Sequence, residues 1–574
     1  MFFVSMLIIG GIIASATSEK MTHVKKNSIL EIRLDYPITE RTSLNPFQNL
    51  DPMTLQSKQA LGLNDILKNL EKAKTDDKIK GVYLNLTSIN AGIATIEEIR
   101  NALISFKEES GKFIIAHSDM YSQASYYLAS VADKIYLTPH GFLDFRGLNG
   151  EVMFFTKTLE KLGIEPQIIR GKNNKFKSAV EPFMYTEMSE ANKEQTLTYL
   201  GSIWNHILKG IGEKRNISVD QLKEYADSLK IQDSEDALNY KFVDALKYKD
   251  EVLEELVEMT EAKSVEKLNL ISMLKYKNAP KKKDKDHKFT KDKIAVIYAT
   301  GQINAGKGDE QTIGGESLSK TIREARIDSN IKAIVFRVNS PGGDALASEV
   351  IWREVELAKK VKPVIVSMGD YAASGGYYIS CPADVIVSNP VTLTGSIGVF
   401  GVLWNAQEFL NSKLGIYVDG VKTNPYADLG SPYRPLNAQE KIFMQNNVDN
   451  VYDIFKVHVA EGRNLDVNFV DSIGQGRVWS GINAKEIGLV DELGGLVDAI
   501  EIAKEKAGLE NFRLVQLPEQ ENPFEAMINE MLGNTEEDML KENLGQTYKY
   551  YKNLKDVFLI RGVQARLPYF IDIY

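Results

Sequence analysis

The chain holds one cysteine, Cys381, in 574 residues. A single cysteine makes no internal disulfide, so the fold does not depend on oxidation. Cys381 sits among apolar residues, where a buried thiol behaves as a small hydrophobe. A basic excess is missing too. The net charge is −9 at pH 7, which argues against wholesale nucleic-acid binding. Long hydrophobic runs are scarce. Residues 2–18 (FFVSMLIIGGIIASATS) carry no charge, but they are shorter than the roughly 20 residues a spanning helix needs. No basic flank precedes them, and the first lysine is Lys20, unlike a cleaved signal peptide. The reading is a membrane anchor over 1–18 with the rest of the chain outside it, and a buried N-terminal helix is the alternative; Met1 as an internal methionine is one hypothesis for the missing basic flank. Histidine is sparse: six residues, scattered along the chain.

The bulk figures, 43% hydrophobic and 26% charged, fit an ordinary globular protein. The length calls for two or more domains. The chain in fact repeats itself. Residues 367–390 (SMGDYAASGGYYISCPADVIVSNP) have an earlier copy at 116–139 (AHSDMYSQASYYLASVADKIYLTP). Residues 65–86 parallel 317–338 in the same way. In each copy an amphipathic helix leads through a polar turn into a β-branched strand, followed by a helix (95–109 or 347–361) and another buried strand. Alternating strands and helices predict parallel βαβ units. A period near 250 residues means a duplicated domain and not a solenoid. The expected division is an anchor over 1–18, a first repeat over 19–262, a linker over 263–292, a second repeat over 293–520 and a tail over 521–574. The lysine-rich stretch 275–293 reads as a solvated linker. The tail carries no trace of the repeat.

The copies differ at one telling position. Ser374 in the second faces Gln123 in the first. Ser374 follows an apolar strand and precedes Gly375-Gly376 and a helical-looking stretch. There, free backbone N–H groups can serve an oxyanion; a tight turn with a solvated serine is the plainer reading. Directly after the strand 333–338 comes Asn339-Ser340-Pro341-Gly342-Gly343, which suits an oxyanion hole or a plain type II turn. Thr394-Gly395-Ser396-Ile397-Gly398 adds a serine that can hydrogen-bond a base. No histidine lies in any of these segments. A lysine can replace it if burial keeps the amine neutral. Lys177, within Phe176-Lys177-Ser178-Ala179-Val180, has such an apolar setting, although a surface lysine remains the alternative. It aligns with Ala427 of the second copy. One copy therefore has the serine without the lysine, and the other has the lysine without the serine. These two complementary losses point to one shared site.

These residues resemble the long, duplicated form of the signal peptide peptidase A (protease IV) family, serine–lysine proteases with a Clp-protease/crotonase-like fold. The likeness rests on KSAVEPF at 177–183, SPGG at 340–343, ASGGYY at 373–378 and TGSIG at 394–398, and it runs from the N-terminal apolar segment to about residue 520. It implies an α/β fold made of a tandem parallel βαβ superhelix. It also implies Ser374 as nucleophile, Lys177 as general base and Ser396 as the residue orienting the lysine. The N–H groups of Gly342, Gly343 and Gly375 would form the oxyanion hole. It further implies a membrane-anchored homotetramer, with its catalytic part outside the cytoplasmic membrane, degrading cleaved signal peptides. The short N-terminal run departs from the family pattern.

The expected activity is endopeptidase cleavage of extended apolar peptides without metal or organic cofactor. Two other functions compete: acyl-CoA chemistry on a crotonase-like fold, and a non-catalytic membrane scaffold. The residues leave open whether Ser374 and Lys177 meet within one chain or between chains; the resemblance favours one chain.

Overall fold

The computed structural model describes residues 21–44, 60–280, 290–520 and 562–567. The anchor read over 1–18 lies outside the described residues. Among the described residues no helix is long and apolar enough to cross a membrane.

The first repeat contributes strands β1 (Ser28–Ile32), β2 (Ile79–Asn85), β3 (Phe113–Tyr121), β4 (Lys134–Leu143), β5 (Glu165–Arg170), β6 (Ala245–Leu246) and β7 (Leu270–Ser272). All but β5 form one sheet in the order β6-β4-β3-β2-β1-β7. Every pairing in it is parallel. The helices Leu63–Thr75 and Ile93–Ser110 pack alongside. Leu63, Ile66, Leu67, Leu70 and Ala73 recur at helical spacing and are buried, which gives the helix its apolar stripe.

The second repeat follows with β8 (Lys293–Thr300), β9 (Gln302–Asn304), β10 (Thr312–Gly314), β11 (Ile331–Ser340), β12 (Gly342–Asp344), β13 (Val364–Ala373), β14 (Val385–Ser388), β15 (Leu393–Gly395), β16 (Phe400–Asn405), β17 (Val478–Ser480), β18 (Glu492–Leu493) and β19 (Arg513–Leu517). A second sheet runs β17-β15-β13-β11-β8-β19, with β14 bridging β13 and β18. Its centre, β8, β11 and β13, is parallel. Ile334, Val335, Phe336 and Val338 of β11 are all buried, as a strand covered on both faces requires.

A third sheet departs from the expected parallel pattern. It runs β10-β9-β12-β20-β16-β5, where β20 is Gly562–Arg566. The pairs β12–β20, β20–β16 and β16–β5 are antiparallel. Its strands come from the first repeat, the second repeat and the tail. No crossover helix joins such partners, so parallel pairing is not imposed. The sheet stitches the two halves together and flanks the site.

Two stretches differ from the sequence reading. The proposed linker over 263–292 is structured in its first part. There β7 pairs with β1, and the helix Met273–Lys277 buries Met273 and Tyr276. Lys72 Nζ donates to the carbonyls of Tyr276 and Ala279 at 2.5 and 3.0 Å. The dense lysines of this stretch masked a short apolar face. The tail, which carries no trace of the repeat and to which the sequence assigns no role, supplies β20.

Candidate active site

β13 ends at Ala373, and the helix Gly375–Ser380 begins one residue later, with Ser374 as its N-cap. Ser374 has φ of 56° and ψ of −115°, a conformation that costs a non-glycine residue free energy and tends to gather at functional sites. The Ser374 N–H donates to the carbonyl of Gly395 at 2.8 Å, and its carbonyl accepts from Tyr378 N at 2.8 Å. Its hydroxyl makes no capping bond. The first repeat is built differently. There Ser122 caps the helix Gln123–Ala129 by accepting from Ser125 N. Gln123 occupies the place of Ser374, and its side chain accepts from the N–H groups of Arg146 and Gly147 and donates to the Gly147 carbonyl. Gln123 thus consumes the local backbone groups and leaves no nucleophile there.

Lys177 immediately precedes the 3-10 turn Ser178–Phe183. Its amine lies 2.8 Å from Ser374 Oγ, 2.9 Å from Ser396 Oγ and 3.0 Å from the Ser396 carbonyl. Lys177, Ser374 and Ser396 have no exposed surface. These partners are hydroxyls and a carbonyl, none of them charged. Burial pushes the Lys177 amine well below its ordinary pKa of 10.5, because nothing repays the desolvation of an ammonium.

Neighbouring groups fix the lysine. The Phe176 N–H donates to the Gln475 carbonyl at 2.9 Å. Gln195 Nε2 donates to the Phe176 carbonyl at 2.9 Å and to Ser178 Oγ at 3.0 Å, while its oxygen accepts from Val478 N. A Cβ on Gly476 would stand 2.4 Å from Lys177 Cβ, so only glycine lets that loop pass. Ser396 has φ of 52°. The Ser396 N–H donates to the Arg477 carbonyl at 2.7 Å.

The glycines close the other side. Gly342 has φ of 96°, and a Cβ there would stand 2.7 Å from Gly375 N. A Cβ on Gly343 would meet the Ile303 carbonyl oxygen at 2.0 Å. The Gly342 N–H is 3.2 Å from Ser340 Oγ. Gly342 and Gly375 therefore approach each other beside Ser374. The structure brings all six expected residues, Ser374, Lys177, Ser396, Gly342, Gly343 and Gly375, to this one junction. Cys381 is buried, and burial raises its thiol pKa; it belongs to the core.

Sequence reading missed the ionic cluster behind the site. Arg337, in the middle of β11, has no exposed surface. It pairs with Glu40 at 2.8 Å and Glu98 at 2.7 Å, both from the first repeat. Burial opposes the guanidinium charge, but the two carboxylates outweigh it and hold the pKa above its ordinary value. Burial raises Glu98, with Arg337 opposing. Asn339 Nδ2 donates to Glu40 at 2.8 Å, and its oxygen accepts from Tyr371 N. Asp370 accepts from Thr95 N and Thr95 Oγ1 at 3.0 and 2.8 Å. The cluster ties the first repeat to the chain on both approaches to the site, β11 into Gly342 and β13 into Ser374. An arginine set between Phe336 and Val338 in the apolar stretch of β11 was its sequence signal.

The family model described as "Peptidase family S49" matches residues 106–263 and 356–510. The chain is 38% identical over 485 residues to "Protease 4" of Salmonella typhi, covering 83% of this chain and 77% of that protein. It is 32% identical to "Serine protease SPPA, chloroplastic" of Arabidopsis thaliana, covering 95% and 78%. Among solved structures, "ClpP1 from Listeria monocytogenes" matches 35% of this chain and 92% of its own, at 20% identity and a TM-score of 0.23. The two matched regions, one in each repeat, together with similarity along most of the chain, assign it: this protein belongs to peptidase family S49 and is a serine peptidase.

Proposed function

We propose that Ser374 and Lys177 are the catalytic dyad of an endopeptidase. One observation carries this reading: a buried amine, with no charged partner, 2.8 Å from a serine hydroxyl that caps nothing. The neutral amine takes the Ser374 proton as Oγ attacks the peptide carbonyl carbon. The N–H groups of Gly375 and of the Gly342-Gly343 turn receive the oxyanion. The C–N bond then breaks, and the lysinium returns its proton to the leaving amine. Water, deprotonated by Lys177, hydrolyses the acyl-serine and regenerates both groups. Ser396 accepts an N–H from Lys177 and so directs the amine lone pair at Ser374.

The substrates are extended apolar peptides, including cleaved signal peptides. Antiparallel strands beside the glycines supply backbone pairing for them. The protein works as a homotetramer held by an anchor over 1–18, with its catalytic part facing outward from the cytoplasmic membrane. Support for these last points is the family resemblance and the uncharged N-terminal run. The test is hydrolysis of a signal-peptide substrate by the wild type, by Ser374→Ala and by Lys177→Ala. Both variants should be inactive while keeping the native circular dichroism spectrum. Wild-type turnover by either defeats the dyad.

A further inference from the structure

Arg477 stands in the turn that leads into β17, where its N–H donates to the Gly474 carbonyl at 2.8 Å. Its side chain joins the two repeats beside Lys177. The guanidinium carbon lies 4.5 Å from the centre of the Phe176 ring and 4.5 Å from the centre of the Trp479 ring. Phe176 belongs to the first repeat and Trp479 to the second. A flat, delocalised cation held against two rings gains both cation–π attraction and stacking. Glu194 adds an ion pair at 3.1 Å, but that carboxylate is half exposed. Solvent screens the pair, and the rings do most of the holding. The other charge nearby, Lys175, is exposed and lies 4.7 Å from the Phe176 ring.

Each ring leads to a reacting group. Phe176 immediately precedes Lys177. Trp479 pairs with Thr394 across β17 and β15, and a Cβ on Gly395 would stand 2.8 Å from Trp479 Cδ1. The indole therefore rests on Gly395, whose carbonyl takes the Ser374 N–H. The Arg477 carbonyl takes the N–H of Ser396 at 2.7 Å. One residue thus reaches the flank of the base, the support of the nucleophile and the serine that orients the base. Exposure falls inward: 19% for the Arg477 side chain, 6% for Phe176 and none for Lys177. The stack lies on the solvent side of the turn that carries the amine. The first repeat, which lost the nucleophile, does not keep these residues. The helices Ser234–Asn239 and Gly481–Glu486 correspond, capped by Asp233 and Ser480. In that register Lys230 and Gln232 stand in place of Arg477 and Trp479.

We propose that Arg477 is a positioning residue of this site: held against Phe176 and Trp479, it aims Lys177 at Ser374 and bars water from the amine. This rests on the reading of Ser374 and Lys177 as the dyad and deepens it. The guanidinium acts through packing, since the partners of the amine are two hydroxyls and a carbonyl and burial alone lowers its pKa. Loosening the stack admits water beside Phe176, hydrates the ammonium form and returns the amine toward 10.5.

The test compares the wild type with Arg477→Leu and Arg477→Lys. Lysine keeps the charge beside Glu194 but loses the plane that the rings hold, and it is the milder variant should leucine impair folding. The rate at which a serine-directed acylating probe labels Ser374 should rise with pH in both variants through a midpoint about one pH unit above that of the wild type. Below the wild-type midpoint this leaves about a tenth as much neutral amine. Hydrolysis of an apolar fluorogenic peptide should there show kcat lowered about tenfold, with KM nearly unchanged. The deficit should narrow as pH increases. Glu194→Gln, which removes only the screened ion pair, should keep the wild-type kcat and midpoint. Wild-type kcat and midpoint in Arg477→Lys would overturn the inference. A lower kcat with an unmoved midpoint would overturn it too, because Arg477 would then support the fold alone. A change confined to KM would place Arg477 in substrate binding and would equally overturn it. Lys177→Met judges the dyad separately. Wild-type labelling of Ser374 in that variant sinks the dyad itself. Labelling lost in Lys177→Met, with the midpoint unmoved in Arg477→Lys, sinks only the role of Arg477.

Discussion

Lys177 Nζ and Ser374 Oγ lie 2.8 Å apart, although 197 positions separate them in the chain. Each repeat supplies one of them, and the antiparallel pair β5–β16 joins the two repeats directly. Both groups come from the same chain. Mixing Ser374→Ala with Lys177→Ala should therefore restore no peptidase activity. Recovery of activity in the mixture would show that the pair forms between chains.

Replacing the nucleophile should lower kcat by on the order of 10⁴-fold or more. Ser396→Ala should act through Lys177, lowering kcat by about 10²-fold with KM nearly unchanged. Steady-state kinetics separate the two parameters. A change confined to KM would place Ser396 in substrate binding instead.

Lys177 should also leave a mark on stability. Its pKa is lowered in the folded protein by burial, so the unfolded chain binds its proton more tightly. Between the folded and unfolded pKa values, stability rises with pH; below that window the full destabilisation applies. Lys177→Met removes the titration and keeps the volume. The variant should melt above the wild type at pH 7, and the gap should close as pH approaches 10.5. Melting curves from pH 7 to 10 check this, and a gap that widens with pH would contradict it.

Much of this site was legible in the chain. The doubled serine segment fixed Ser374 against Gln123, and the complementary loss of lysine at Ala427 singled out Lys177. Apolar periodicity matched the two parallel sheets, because their strands are buried on both faces. The third sheet was not legible. Its strands are short, its partners come from three distant parts of the chain, and antiparallel pairing across such distances leaves no local period. Arg337 was equally hidden, since a charge inside a strand makes sense only once Glu40 and Glu98 arrive from the other repeat.

That cluster gives a further expectation. Arg337→Ala leaves two buried carboxylates without their cation and should destabilise by about 3–5 kcal/mol. Denaturant unfolding measures the loss. Activity should fall as well, because Asn339 and the approach to Gly342 depend on Glu40. A variant as stable as the wild type would show that the cluster does not join the repeats.

Gly342→Ala should lower kcat by about 10²–10³-fold. Its Cβ would press on Gly375 N and the Ala373 carbonyl oxygen, at a φ that favours glycine. Gln123→Ser in the first repeat should leave activity unchanged, and should restore none when Ser374→Ala is also present. Activity from that double variant would mean the first repeat retains a working site of its own.

The most direct measurement is the rate at which a serine-directed acylating probe labels Ser374 as a function of pH. In the wild type the rate should rise with pH and level off well below 10.5, as the Lys177 amine loses its proton, and in Lys177→Met labelling should be nearly abolished at every pH. Labelling of Lys177→Met at the wild-type rate, with the same pH profile, would show that the serine is activated by some other group.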